Sequence, residues 1–224
     1  HNRPEVLKSL LADGINDMNP WRAKLLQAIK WRVKDFPQNS VPPVLGRGPL
    51  DVLLTLFDSS EVVMKLFEKE QYYLTLLSTL ADVYKDFFSV QISALPRYHG
   101  GYVNRRGLWA PGSTVFTQED GAALISPDIY EETICPLDRR VWDTFDYAMF
   151  HLHSSAAQVL LDALLECPEL DGIELMIDPQ DRENSEMVAL CAKIQKANKR
   201  LLISSDLPHE RISQFIETLS PVEL

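Results

Sequence analysis

Phe145-Asp146-Tyr147-Ala148-Met149-Phe150-His151-Leu152-His153-Ser154-Ser155 is the stretch from which the fold can be read. Aromatic and apolar residues lead into it, the pattern of a strand buried on both faces. Strand side chains alternate, so Met149, His151 and His153 share one face while Phe150 and Leu152 share the other. Two imidazoles on one face, where a strand gives way to a helix that Ser154-Ser155 can cap, are able to converge on a proton, an anion or a metal ion. A pair of buried, hydrogen-bonded and inert histidines satisfies the same pattern, and both readings stay open at this point.

Outward from this strand the chain repeats one unit. Downstream, Asp171 to Pro179 reads as a strand with Glu174, Met176 and Asp178 on one face. An amphipathic helix follows over 185–197, then a last strand from Arg200 to Asp206 and a helix opened by Pro208. Upstream, Ser126-Pro127 begins a helix as a cap with proline at its first position. Phe87 to Ser93 reads as a further strand, with Ser89, Gln91 and Ser93 on one face, after helices over 50–57 and 60–85. Val41 to Leu45 reads as a short first strand running into the Gly46–Pro49 turn. Residues 94–125 are expected to form a long connection whose Tyr98, His99, Trp109 and arginines suit the covering of a site.

Strict alternation of strand and helix is the mark of βα units with right-handed crossovers. The expectation is therefore an α/β fold of the (β/α)8 barrel type, a partial barrel with about five parallel strands over residues 37–224. Residues 1–36 are expected as an N-terminal helical segment, with a short helix from Pro4 to Gly14 and a second begun by Asn19-Pro20.

Composition limits the partners. The 224 residues can bury a full core, and 46% apolar with 24% charged residues is ordinary for a globular chain. A net charge of −10, from 32 acidic against 22 basic residues, disfavours nucleic acid and anionic membranes as general partners. Cys135, Cys167 and Cys191 are odd in number and form no C-x-x-C, so a disulfide scaffold is not expected and a reducing cytoplasm is the simpler setting. No apolar run approaches membrane-spanning length. A partial barrel would expose strand edges and apolar helix faces, and self-association is expected.

Several motifs in this order resemble the uroporphyrinogen decarboxylase superfamily, which also holds cobalamin-independent methionine synthases and zinc-dependent, corrinoid-linked methyltransferases. They are Gly48-Pro49-Leu50-Asp51, Leu124-Ile125-Ser126-Pro127 with Tyr130 and Pro136, Phe150-His151-Leu152-His153-Ser154, and Asp178-Pro179. The resemblance implies a barrel with its active site at the C-terminal ends of the strands. In the methyltransferases the matching strand ends in His-x-Cys and binds zinc with a later cysteine. Here His151 falls on the metal-binding histidine and His153 on the cysteine, an exchange that keeps a ligand but hardens it.

The expected function is accordingly a zinc-assisted, methyltransferase-like reaction on a small or corrinoid-linked substrate. A decarboxylase-like lyase of tetrapyrrole metabolism and a non-catalytic ligand-binding fragment are the alternatives. His151, His153 and Asp178 are the candidate catalytic residues, with His151 and His153 as zinc ligands and Asp178 or Glu174 as a third. Arg47, Gln91, Ser93, Arg97 and Trp109 are the candidate substrate-binding residues. Surface solvation is the competing reading for the arginines, Arg105 and Arg106 above all, and capping of the next turn is the competing reading for Asp178.

Overall fold

The structure is a computed structural model that describes residues 19–36 and 39–219. The short helix expected between Pro4 and Gly14 lies outside the described residues. Among the described residues four helices come first: α1 (Pro20–Asp35), α2 (Pro49–Leu56), α3 (Ser59–Phe67) and α4 (Gln71–Ala94). A small antiparallel hairpin, β1 (Tyr102–Val103) and β2 (Trp109–Ala110), leads into β3 (Thr114–Gln118). A helical run from Pro127, with a π turn at Tyr130–Ile134, enters α5 (Cys135–Trp142). Then strands and helices alternate: β4 (Tyr147–His153), α6 (Ala157–Glu166), β5 (Gly172–Met176), α7 (Glu186–Lys196), β6 (Arg200–Ser204) and α8 (His209–Thr218).

The last four strands form a parallel sheet in the order β3-β4-β5-β6. One face of it, carrying Val115, Phe150, Leu152, Ile173 and Leu175, is part of the main apolar core built with the helices. Each such fully buried side chain contributes roughly 1.5–3 kcal/mol from apolar burial. The opposite face presents Phe116 and Gln118, Met149, His151 and His153, then Glu174 and Met176. The hairpin tip lies over its lower part, where the Asn104 amide donates to the Met149 sulfur at 3.4 Å. The described residues thus give a mixed α/β fold with an open sheet of four parallel strands, in place of the five expected.

Two of the expected strands are corrected. Residues 87–93 are the last turns of α4, because Tyr84, Phe88, Gln91 and Ile92 bury one helical face. The polar residues that mimicked strand alternation are satisfied inside that helix: Ser89 Oγ donates to the Lys85 carbonyl and Ser93 Oγ to the Ser89 carbonyl. Residues 41–45 run extended but join no sheet. The Gln91 side chain takes over both backbone groups of Val44, accepting from its N–H at 2.7 Å and donating to its carbonyl at 3.2 Å. Conversely, the expected long connection contains β3, a strand buried at all five positions.

The start of α2 is tied to the end of β3. Glu119, just past β3, accepts the N–H groups of Leu50 at 3.1 Å and Asp51 at 3.3 Å, which satisfies free donors of the first helical turn. Asp51 returns the contact by accepting the Gly121 N–H at 2.7 Å. This approach requires glycine at Gly48, since a Cβ there would collide with the Gln118 carbonyl oxygen and the Glu119 carboxyl.

Candidate metal centre

The parallel register sets the site. Gln118, His151 and Glu174 stand opposite one another across β3, β4 and β5, and His153 is one step further toward the C-terminal end. Both imidazoles are held by carboxylates through Nδ1. His151 Nδ1 lies 2.6 Å from Glu174 Oε2, and His153 Nδ1 lies 2.7 Å from Asp178 Oδ1. Ionised carboxylates only accept, so each Nδ1 carries a proton, and in the neutral ring Nε2 then carries the lone pair. Those two Nε2 atoms face each other at 3.2 Å. Two nitrogens bound to one tetrahedral zinc, each about 2.0–2.1 Å from it, stand about 3.3 Å apart.

A third oxygen meets them. Asp120 Oδ1 lies 3.9 Å from His153 Nε2, and the three ligand atoms of Asp120, His151 and His153 all fall within 4.8 Å of one another. Asp120 is aimed by its other oxygen: Oδ2 accepts from Arg47 at 2.6 Å and from Gln118 Nε2 at 2.9 Å. Oδ1, although buried, has no hydrogen-bond partner among the described residues. A buried acceptor with nothing to accept costs roughly 1–3 kcal/mol, so a cation, a proton or the hydrogen of a water would be favourable at that point. Two imidazole nitrogens and one carboxylate oxygen with an open side form the donor set of a catalytic zinc site, and the residues present fit such an ion.

The supporting carboxylates remain charged. Burial works to raise the Glu174 carboxyl, but the bonds from His151 and Arg106 overcome it and hold the group below its ordinary range. Burial likewise opposes ionisation of Asp178, and the bonds from His153 and Ser155 outweigh it. Partners of this kind fix the tautomer of a ligating histidine and raise its basicity. Asp178 also accepts from Ser155 N–H and Oγ, so it caps the following turn and orients His153 at once.

Local structure brings in Arg106, for which surface solvation is the favoured reading from sequence. Asn104 Oδ1 accepts the N–H groups of Arg106 and Leu108, and Gly107 takes a φ of +81° that suits glycine, so the hairpin tip folds back onto the sheet. Arg106 Nε thereby lies 2.6 Å from Glu174 Oε1, with its guanidinium 5.8 Å from the Phe116 ring centre.

The sequence-predicted residues divide. His151, His153, Asp178 and Arg47 come together, and Glu174 supports His151 instead of serving as a third ligand. Asp120 takes the place expected for Asp178 or Glu174; it follows β3 directly and escaped notice with that strand. Gln91 and Ser93 are on α4, with Gln91 occupied by Val44. Arg97 donates to the Gly100 carbonyl and lies over Tyr102, while the exposed Trp109 donates from its indole to the Tyr98 carbonyl. Arg97 precedes the hairpin and Trp109 opens β2, and neither contacts His151 or His153 among the described residues. The chain matches no protein-family model and no curated protein. No helix among the described residues is long and apolar enough to cross a membrane.

Proposed function

We propose that the chain is a zinc-dependent enzyme that activates a nucleophile at the C-terminal end of its parallel sheet, with methyl transfer to a thiol as its reaction class. One observation carries the reading: both Nδ1 atoms are committed to carboxylates while both Nε2 atoms and the unpartnered Asp120 Oδ1 converge. His151, His153 and Asp120 would hold the ion, and bound zinc would lower the pKa of a thiol or water so that it reacts near neutral pH. Glu174 and Asp178 keep the two rings in one tautomer, and Arg47 keeps Asp120 turned toward them. The half-exposed His153 leaves the site open to solvent on one side, where a small or corrinoid-linked substrate would enter. The methyl-transfer assignment rests on the resemblance of the His151-Leu152-His153 strand to the corrinoid-linked enzymes.

The donor set also favours a second nucleophile. Two histidines and a carboxylate are harder than the cysteine-containing sets that suit thiols, so water and a hydrolytic reaction form the competing reading. Both are tested on one sample. Metal-depleted protein reloaded with zinc should hold one ion per chain, and His151→Ala and His153→Ala should each abolish this while keeping a folded circular-dichroism spectrum. Cobalt-loaded protein titrated with small thiols should develop a thiolate-to-metal charge-transfer band. Cobalt binding without that band would move the assignment to water, and no stoichiometric metal in the wild type would refute the zinc reading.

A further inference from the structure

Away from the histidines, two of the three cysteines meet. Cys135 Sγ and Cys167 Sγ lie 3.5 Å apart, both buried, although the residues are 32 positions apart in the chain. Cys135 opens α5 directly after the π turn at Tyr130–Ile134, and Cys167 closes α6. Cys191 is buried on α7 and has no sulfur partner among the described residues. The pair is therefore a specific meeting of two helix ends, and the strand β4 with both histidines lies wholly within the loop that it would close.

The surroundings favour reaction at Cys167. The ion pair from Arg139 to Glu169, with bonds of 2.9 and 2.7 Å, reaches the surface beside it, and the Lys199 ammonium donates to the Cys167 carbonyl at 2.5 Å. Cys135 as donor to Cys167, together with the Arg139 and Lys199 charges, draws the Cys167 thiol below its ordinary range against the cost of burial. A thiol whose ionisation is favoured by a neighbouring thiol and nearby cations, even while its S–H donates to the Ala163 carbonyl at 3.2 Å, is the setting of an oxidisable dithiol.

We propose that Cys135 and Cys167 form a reversible disulfide when the protein meets a small-molecule disulfide oxidant. The Cys167 thiolate attacks one sulfur of the oxidant and expels the other as a thiolate, leaving a mixed disulfide. Cys135, losing its proton to that leaving thiolate, attacks Cys167 Sγ and expels the second. Two protein thiols are oxidised, the oxidant's sulfur–sulfur bond is reduced, and two small thiols leave with the two protons. The sulfurs must close from 3.5 Å to about 2.05 Å.

The product staples α5 to α6 around β4. Closing a loop of 32 residues restricts the unfolded chain enough to raise Tm by about 10 °C. The test is oxidised glutathione added to the native wild-type protein, followed by denaturation, alkylation and intact-mass analysis. The expected result is loss of two hydrogens, one alkylated cysteine, a cross-linked peptide pair containing Cys135 and Cys167, and reversal with the Tm gain by dithiothreitol. Cys135→Ser should stop at the mixed disulfide on Cys167. Three alkylated cysteines in the wild type, or a cross-link that includes Cys191, would overturn the proposal.

Discussion

Glu174→Gln separates an oriented metal ligand from a merely buried histidine. The substitution keeps the volume of a fully buried side chain that accepts from His151 Nδ1 and is ion-paired with Arg106 Nε, each at 2.6 Å. Glutamine has one acceptor oxygen for these two donors. If the oxygen serves His151, the amide nitrogen confronts the guanidinium; if it serves Arg106, the amide nitrogen confronts the imidazole N–H and the ring must turn. Loss of such a supporting carboxylate typically weakens metal binding 10–100-fold, which is about 1.4–2.7 kcal/mol. The metal-free protein also loses a charge-assisted contact, worth about 2 kcal/mol once the partly exposed Arg106 is allowed its water. In a chain of this size that corresponds to a Tm lower by about 4–8 °C. Zinc affinity measured by competition with a chromophoric chelator, beside thermal melts of the metal-free proteins, gives the two numbers independently. A variant with lowered Tm and zinc affinity within twofold of wild type would refute the argument, since Glu174 would then be supporting the fold and not the ligand.

Asp120→Asn should remove zinc binding by more than about 100-fold while changing metal-free stability by no more than about 1 kcal/mol, because its oxygen will turn to Arg47 and Gln118 and present an amide nitrogen to the histidines. Chelator competition and urea melts check both halves. Asp138→Asn tests a buried carboxyl that desolvation raises to about 8. A carboxyl whose folded pKa lies above its unfolded value, about 3.9, weakens the fold as pH rises from near 4 to near 8, so the Tm advantage of the asparagine variant over wild type should grow between pH 5 and pH 8. An advantage that is flat or shrinks would contradict the assignment. Trp142→Phe deletes indole volume from the core and leaves Thr117 Oγ1 without its 2.8 Å donor; urea unfolding should show a loss of about 2–4 kcal/mol.

The second half of the sheet was legible because β4, β5 and β6 are apolar runs separated by amphipathic helices of ordinary length, and their register follows once the pairing is parallel. Phe87–Ser93 misled for a physical reason. Its β-branched and aromatic residues alternate with polar ones, yet the same residues lay Tyr84, Phe88 and Gln91 on one helical stripe, and packing chose the helix. Thr114–Gln118 hid for the opposite reason, since three of its five residues are polar although all are buried. That omission also hid Asp120, the third member of the candidate metal group. With β3 read as the strand beside β4, Asp120 would have stood at a C-terminal strand end next to the histidine row. Arg106 carries no such signal: only the turn at Asn104 and Gly107 tells it where to go.

The lock between Glu119 and the start of α2, returned by Asp51 to Gly121, joins groups 69 and 70 positions apart in the chain. A nascent polypeptide emerging from the ribosome therefore completes this cradle late, after the early helices have waited for a strand synthesised much later and then for the histidines that follow it. On the proposed zinc reading, acquisition of the ion would then be a terminal event of biogenesis. Ribosome-stalled chains ending before residue 147 should retain no zinc, whereas released full-length protein should.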